Sequence, residues 1–196
     1  AMILPIVAYG NPVLKRVADE ITSDYPDLSE LIENMWETMY AAHGVGLAAP
    51  QIGLSIRLFV IDASLFVDEE EMDQEEIDTL KDLKKVFINP IIEEEQGELW
   101  SFNEGCLSIP EVREDVSRKE EIVVSYVDQN FTPQQLKLRG LAARVVQHEY
   151  DHIQGVLFTD HLSPLKKRLI KKRLTSISKG SISVEYRMKF PKKSKR

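Results

Sequence analysis

The chain has one cysteine, Cys106, among 196 residues. An internal disulfide framework is therefore excluded, and a lone thiol fits a reducing compartment. Long apolar runs are also missing. None approaches the ~18 residues that cross a bilayer, so no membrane partner is expected. Ala1 to Tyr9 carry neither a basic stretch nor a long apolar core, which is unlike a signal peptide. Internal repeats and a second-domain linker are absent as well. These absences point to a single cytoplasmic domain over residues 1–196, long enough to bury a substantial core.

Charge is present but unevenly placed. The net charge of -7 hides 31 acidic and 12 basic side chains before Pro164, against 13 basic and one acidic side chain from there on. A basic C-terminal region (164–196: helix, strand and tail) on an acidic body fits a polyanionic partner such as RNA, and equally a solvated helix face. Residues 62–85 hold ten Asp/Glu and three Lys. They read as an acidic surface insert, partly helical around Glu75 to Lys84 or disordered, and without chemistry of its own.

Asn11-Pro12 opens a short helix. Leu28, Leu31, Ile32, Met35, Trp36, Met39 and Tyr40 recur at three and four, which predicts an amphipathic helix ending near Ala42. Gly44 to Gly53 follows as a loop of small residues whose backbone another molecule or segment can approach. Gln51 is the one polar side chain within that run, available to donate into a site or to close a turn. Strands are expected at Arg57 to Ile61, Val86 to Ile92 (with an edge or bulge at Pro90), Glu98 to Phe102, and as a hairpin from Ile122 to Leu138. A basic helix runs from Pro164 to about Ser178. The alternation of Ile182, Val184, Tyr186, Met188 and Phe190 predicts a last strand. The class is α+β, a single domain of mostly antiparallel strands around a central helix.

That central helix starts at Gly140, stops at Gly155 and carries His148-Glu149-Tyr150-Asp151-His152. Two imidazoles one turn apart can hold a metal, and the glutamate between them can move protons. At 100° per residue, His148, Glu149 and His152 share an arc with Leu141 and Val145, on the core-facing stripe. Arg144, Gln147, Tyr150, Asp151 and Gln154 take the other side. A catalytic centre needs a third protein ligand. His161 lies nine residues past His152; with it the site would suit an endopeptidase. Cys106 is the stronger candidate, because it sits beside Gly105 near a turn and a thiolate is a strong metal donor.

Gly44-Val45-Gly46-Leu47-Ala48-Ala49-Pro50-Gln51, then Glu104-Gly105-Cys106-Leu107-Ser108, then His148-Glu149-Tyr150-Asp151-His152 resemble, in order, the three motifs of the peptide deformylase family. The likeness extends from Asn11 to about Ser163. It implies that Cys106, His148 and His152 bind one divalent metal, natively Fe2+, with Zn2+ or Ni2+ as substitutes. It implies Glu149 as general base and acid, and Gln51 with the Leu107 N–H as oxyanion donors. Gly46 and Gly105 match positions where the substrate backbone lies, with Arg113 further along. Val45, Phe102, Leu141, Val145 and His148 match a pocket for methionine. The implied substrates are N-formyl-methionyl nascent peptides, in a bacterial-type cytoplasm or, for a processed form, an organelle. A transient ribosome contact through the basic C-terminal region is a further expectation.

Overall fold

The computed structural model describes residues 1–191. The basic tail expected at the C-terminus lies, from residue 192 on, outside the described residues. The long strands β4 (Lys84–Cys106) and β5 (Ile109–Val127) form an antiparallel hairpin joined by Leu107 and Ser108. They stand in a five-stranded sheet of order β2-β3-β4-β5-β6, with β2 at Gly46–Ala48, β3 at Leu58–Asp62 and β6 at Pro133–Arg139. Every ladder in this sheet is antiparallel. The first strand, β1 (Ile6–Val7), pairs in parallel with the last, β7 (Met188–Lys189), as a separate two-stranded sheet. The α+β single-domain expectation is met.

β3 is buried along its whole length and apolar up to its last residue, Asp62, as suits a strand covered on both faces. One side meets helix α1 (Leu28–Ala41), whose Ile32, Met35 and Met39 pack with Leu47, Leu58, Val60 and Ile88. The other side meets helix α3 (Gly140–Ile153), whose Ala142, Ala143, Val145, Val146 and Ile153 join Phe59, Ile61 and Phe87. Helix α4 (Pro164–Ser178) buries Ile170, Leu174 and Ile177 against Val112, Val116 and Leu14. Ser163 caps it by accepting from Lys166 N–H at 3.2 Å, and Pro164 opens it. Gly155 ends the α3 region at φ +75°, and a Cβ there would sit 2.7 Å from the Lys15 carbonyl. Any side chain at 155 would push the N-terminal segment off the helix end.

Three expectations are corrected, and an open alternative is decided. The strands foreseen at Val86 to Ile92 and Glu98 to Phe102 are parts of one strand, β4. Its ladder shifts register between Ile88 and Ile91, around Pro90, so the proline introduces an irregularity and not an end. The loop of small residues around Gly46 is partly a strand, β2, because close packing on α3 leaves no room for larger side chains. Of the two readings of the acidic insert, the helical one holds. The insert contains helix α2 (Gln74–Asp82), capped by Asp73 and anchored by buried Ile77 and Leu80. The expected last strand shrinks to Met188–Lys189, because its partner β1 is itself two residues long.

Candidate active site

Three metal-donor side chains converge where α3 faces the β4–β5 turn. The ligand atoms of Cys106, His148 and His152 lie within 4.8 Å of one another, the one such cluster among the described residues. The spacing of the two histidines puts both rings on one side of α3, with centroids 5.2 Å apart. Cys106 Sγ stands 3.4 Å from His152 Nε2. His148 Nδ1 is 2.8 Å from Glu104 Oε1, so its proton goes to that carboxylate and Nε2 is left for a cation. Burial alone would make His148 a weaker base. Hydrogen bonds to Cys106 and Glu104 override this and raise its proton affinity well above the usual. A divalent cation competes for the same place, since it too answers a thiolate and an imidazole lone pair. The donor set therefore fits a metal. His161 is not in the cluster: its Nε2 meets Asp151 Oδ2 at 2.8 Å. The endopeptidase ligand set is thereby removed.

Glu149 is buried at 5% exposure, and its Oε2 has no hydrogen-bond partner among the described residues. Burial pushes its carboxyl up to about 7, with the positive His148 opposing. Such a group exchanges protons near neutrality, as a general base and acid must. Gln51 is fixed by its own amide. Its Oε1 accepts from Ala48 N–H at 3.0 Å, which turns Nε2 toward Cys106 Sγ at 3.4 Å and Ser108 Oγ at 3.2 Å. Both possibilities open in the sequence are thus realised at once: one end closes a turn, the other donates into the site.

A cleft of about 810 Å³ runs over this cluster. Gly46, Gly105 and Leu107 border it together with Val45, Phe102 and Val145, and Arg113 lies along the same wall. Leu141 is not on that wall. It borders a neighbouring hollow with Trp100 and Arg139, because it stands one turn before Val145, at the start of α3. Phe66, from the acidic insert, reaches the cleft and packs edge-on against Phe102 at 6.5 Å between centroids. The insert thus supplies a wall that its composition did not announce.

Sequence reasoning assigned no role to a second layer of charges. Glu104 is 4% exposed and takes Arg118 in a fork, Nε to Oε2 at 2.7 Å and Nη2 to Oε1 at 3.0 Å. Arg144 Nη1 adds a bond to Oε2 at 2.8 Å. Arg118 also reaches Asp151, which holds His161. Burial would raise the Glu104 carboxyl; the bonds from His148 and Arg118 win and hold it far below the usual carboxylate range. Arg144 and Gln147 were placed on the side away from the core. They are in fact buried, Arg144 against Glu104, Val116 O and Trp100 O, and Gln147 on Lys119 O. The reason is that β5 and β6 also pack on α3, and Arg144 reaches across to Glu104 and the Trp100 carbonyl of β4. Period-two alternation would have found Glu104, since Trp100, Phe102, Glu104 and Cys106 share one strand face.

The model of the polypeptide deformylase family matches residues 3–168. The chain belongs to the peptide deformylase family. This enzyme family was the one resembled by the three motifs. A peptide deformylase of Christiangramia forsetii is 63% identical over 194 residues, 99% of each chain. Among solved structures, the peptide deformylase of Legionella pneumophila is 37% identical with a TM-score of 0.76, over 91% of this chain and 97% of that one. The Synechococcus elongatus peptide deformylase, solved with actinonin, gives 38% identity and a TM-score of 0.73 over 94% and 92%. The family match stops at residue 168, yet Ser183, Val184, Glu185 and Tyr186 also line the cleft.

Proposed function

We propose that this deformylase family member removes formate from the N-terminal formylmethionine of newly made polypeptides, with Glu149 carrying the protons. One observation carries the residue-level reading. A buried carboxylate with a free oxygen stands on the same helix as two of three converging metal donors, inside one cleft. A divalent cation, ferrous iron natively with zinc or nickel as substitutes, would be held by Cys106, His148 and His152 and would supply Lewis acidity to the site. Glu149 accepts a proton from the water that attacks the formyl carbon. Gln51 Nε2 and the Leu107 N–H donate to the oxyanion as it forms, each worth ~3–4 kcal/mol of barrier. When the C–N bond breaks, Glu149 passes its proton to the departing amine, so proton and charge balance.

Substrate orientation follows from the cleft walls. The peptide backbone lies against Gly46 and Gly105, where side chains are absent. The methionine side chain enters between Val45, Phe102, Val145 and the His148 ring. Leu141 has no place in this pocket, and Arg113 meets the peptide further along. The enzyme works in the cytoplasm, and the exposed Lys167, Arg168, Lys171, Lys172 and Arg173 on α4 offer transient contact to ribosomal RNA. Reversing those charges should remove salt-sensitive ribosome binding; binding that persists would reject the contact.

The main test is formate release from a formyl-Met tripeptide, abolished by chelation and restored by metal. Cys106→Ala loses the metal, His161→Ala keeps it, and Glu149→Ala keeps it while losing turnover. Absence of formate release by the metal-loaded protein would sink the reading.

A further inference from the structure

Leu107 and Ser108 form the turn that leaves Cys106 at the end of β4 and starts β5 at Ile109. The geometry of this short piece matters three times over. Its first residue follows the thiolate. Its second meets Gln51 through Ser108 Oγ. Its backbone carries the Leu107 N–H assigned to the oxyanion. The Cys106–Ile109 pair closes this two-residue connection, and a register irregularity at Gly105/Cys106 interrupts the ladder just before it.

Its two carbonyls are held from outside. The Ser108 carbonyl accepts from Tyr9 N–H at 2.8 Å. The Leu107 carbonyl accepts from the Tyr186 hydroxyl at 2.7 Å. The two donors come from opposite ends of the sequence but from one structural unit. Tyr9 follows β1, Tyr186 precedes β7, and these strands are joined by Ile6 N–H to Arg187 O and Ala8 N–H to Lys189 O, each at 2.9 Å. The same segment turns Ser183 to Tyr186 toward the cleft.

We propose that the segment from Ser183 to Lys189 is a clasp on the active site, and that Tyr186 is a positioning residue which fixes the Leu107–Ser108 turn and so aims the Leu107 N–H. The inference rests on the deformylase reading above. The connection is only two residues long and is closed by the Cys106–Ile109 pair, so a rotation of the 107–108 peptide must be compensated at the φ of Leu107, which carries the N–H. The oxyanion develops after substrate is bound. Loss of aim therefore lowers kcat and spares KM.

The experiment compares the full chain with Tyr186→Phe, both loaded with the same metal. Removing one hydroxyl keeps the ring and its packing. The expected result is a kcat about fivefold to tenfold lower on a formyl-Met tripeptide, the order associated with one neutral hydrogen bond. KM stays within about twofold. Metal content is unchanged, and Tm falls by no more than the few degrees that one such bond is worth. A second measurement, independent of turnover, is amide hydrogen exchange over Cys106 to Ile109, which should quicken by a similar factor. Unchanged kcat or unchanged exchange overturns the proposal. A rise in KM alone makes the segment a mere wall and also overturns it. Loss of metal or Tm in step with kcat assigns Tyr186 to general stability and overturns it equally. If the wild type itself releases no formate, the deformylase reading fails, while the exchange comparison still decides whether Tyr186 holds the turn.

Discussion

Replacing Gly46 by alanine should disable turnover without unfolding the protein. A Cβ at this position would lie 2.8 Å from Glu149 Oε1 and 2.9 Å from both Cδ and Cγ. Ordinary contact begins at 3.4 Å, so the carboxylate must retreat by about 0.6 Å. Gly46 lies in extended strand β2, so alanine meets no left-handed backbone, and what must move is the Glu149 side chain from Cγ outward and no backbone. The cost to stability is therefore small, while the cost to proton transfer is large. A misplacement of ~1 Å at a reacting group lowers rates about a hundredfold. At roughly 0.6 Å the expected loss in kcat is about tenfold to a hundredfold on the same scale. Formate release at saturating formyl-Met tripeptide measures it. Metal content and Tm measured on the same sample separate displacement of Glu149 from damage to the ligand set. A Gly46→Ala protein with full metal and wild-type kcat would refute the claim that β2 sets the position of the base.

Two further changes probe the frame around the site. Glu104→Gln leaves Arg144 buried without its countercharge and Arg118 with Asp151 alone, and should destabilise by ~3–5 kcal/mol in urea unfolding. Metal affinity should also fall by ~10- to 100-fold as His148 loses its anchor; unchanged stability would show the two arginines to be solvated elsewhere. Asp62 tests the pH dependence of the insert's base. Burial would raise its carboxyl, but bonds from Ser64 and Tyr40 and the charge of Lys84 hold it below the usual range. A depressed carboxyl contributes stability that is complete above about pH 4 and lost as pH falls through its folded value. The Tm gap between wild type and Asp62→Asn should therefore be full at pH 7 and close on acidification; a gap that widens in acid contradicts this.

The sequence made the helices legible because their apolar positions repeat and their ends carry signals. Ser163-Pro164 opens α4, and Gly155 closes the α3 region. The metal donors were legible for a different reason, since the spacing of His148 and His152 has few other uses on an apolar stripe. The charges behind them were not legible. Arg118 and Arg144 look like surface residues in a linear reading, and only the closing of β4 and β5 over α3 buries them. The alternation from Ile182 to Phe190 told correctly which side chains turn inward, the others being exposed. It did not tell how little of that segment finds a partner strand. Ladder length is a property of both strands, and β1 offers two residues.

The parallel pairing of Ile6 with Met188 has a consequence for how the enzyme is made. All three metal donors have been translated by residue 152, and the helix and hairpin that hold them are contacts within the first part of the chain. The strands that steady the Leu107 turn meet across nearly the whole polypeptide. Joining such distant segments is slow, because chain entropy must be lost before any contact is gained, although the equilibrium penalty grows only with the logarithm of the span. The donor cluster and the support of the Leu107 turn therefore close over very different spans of the chain.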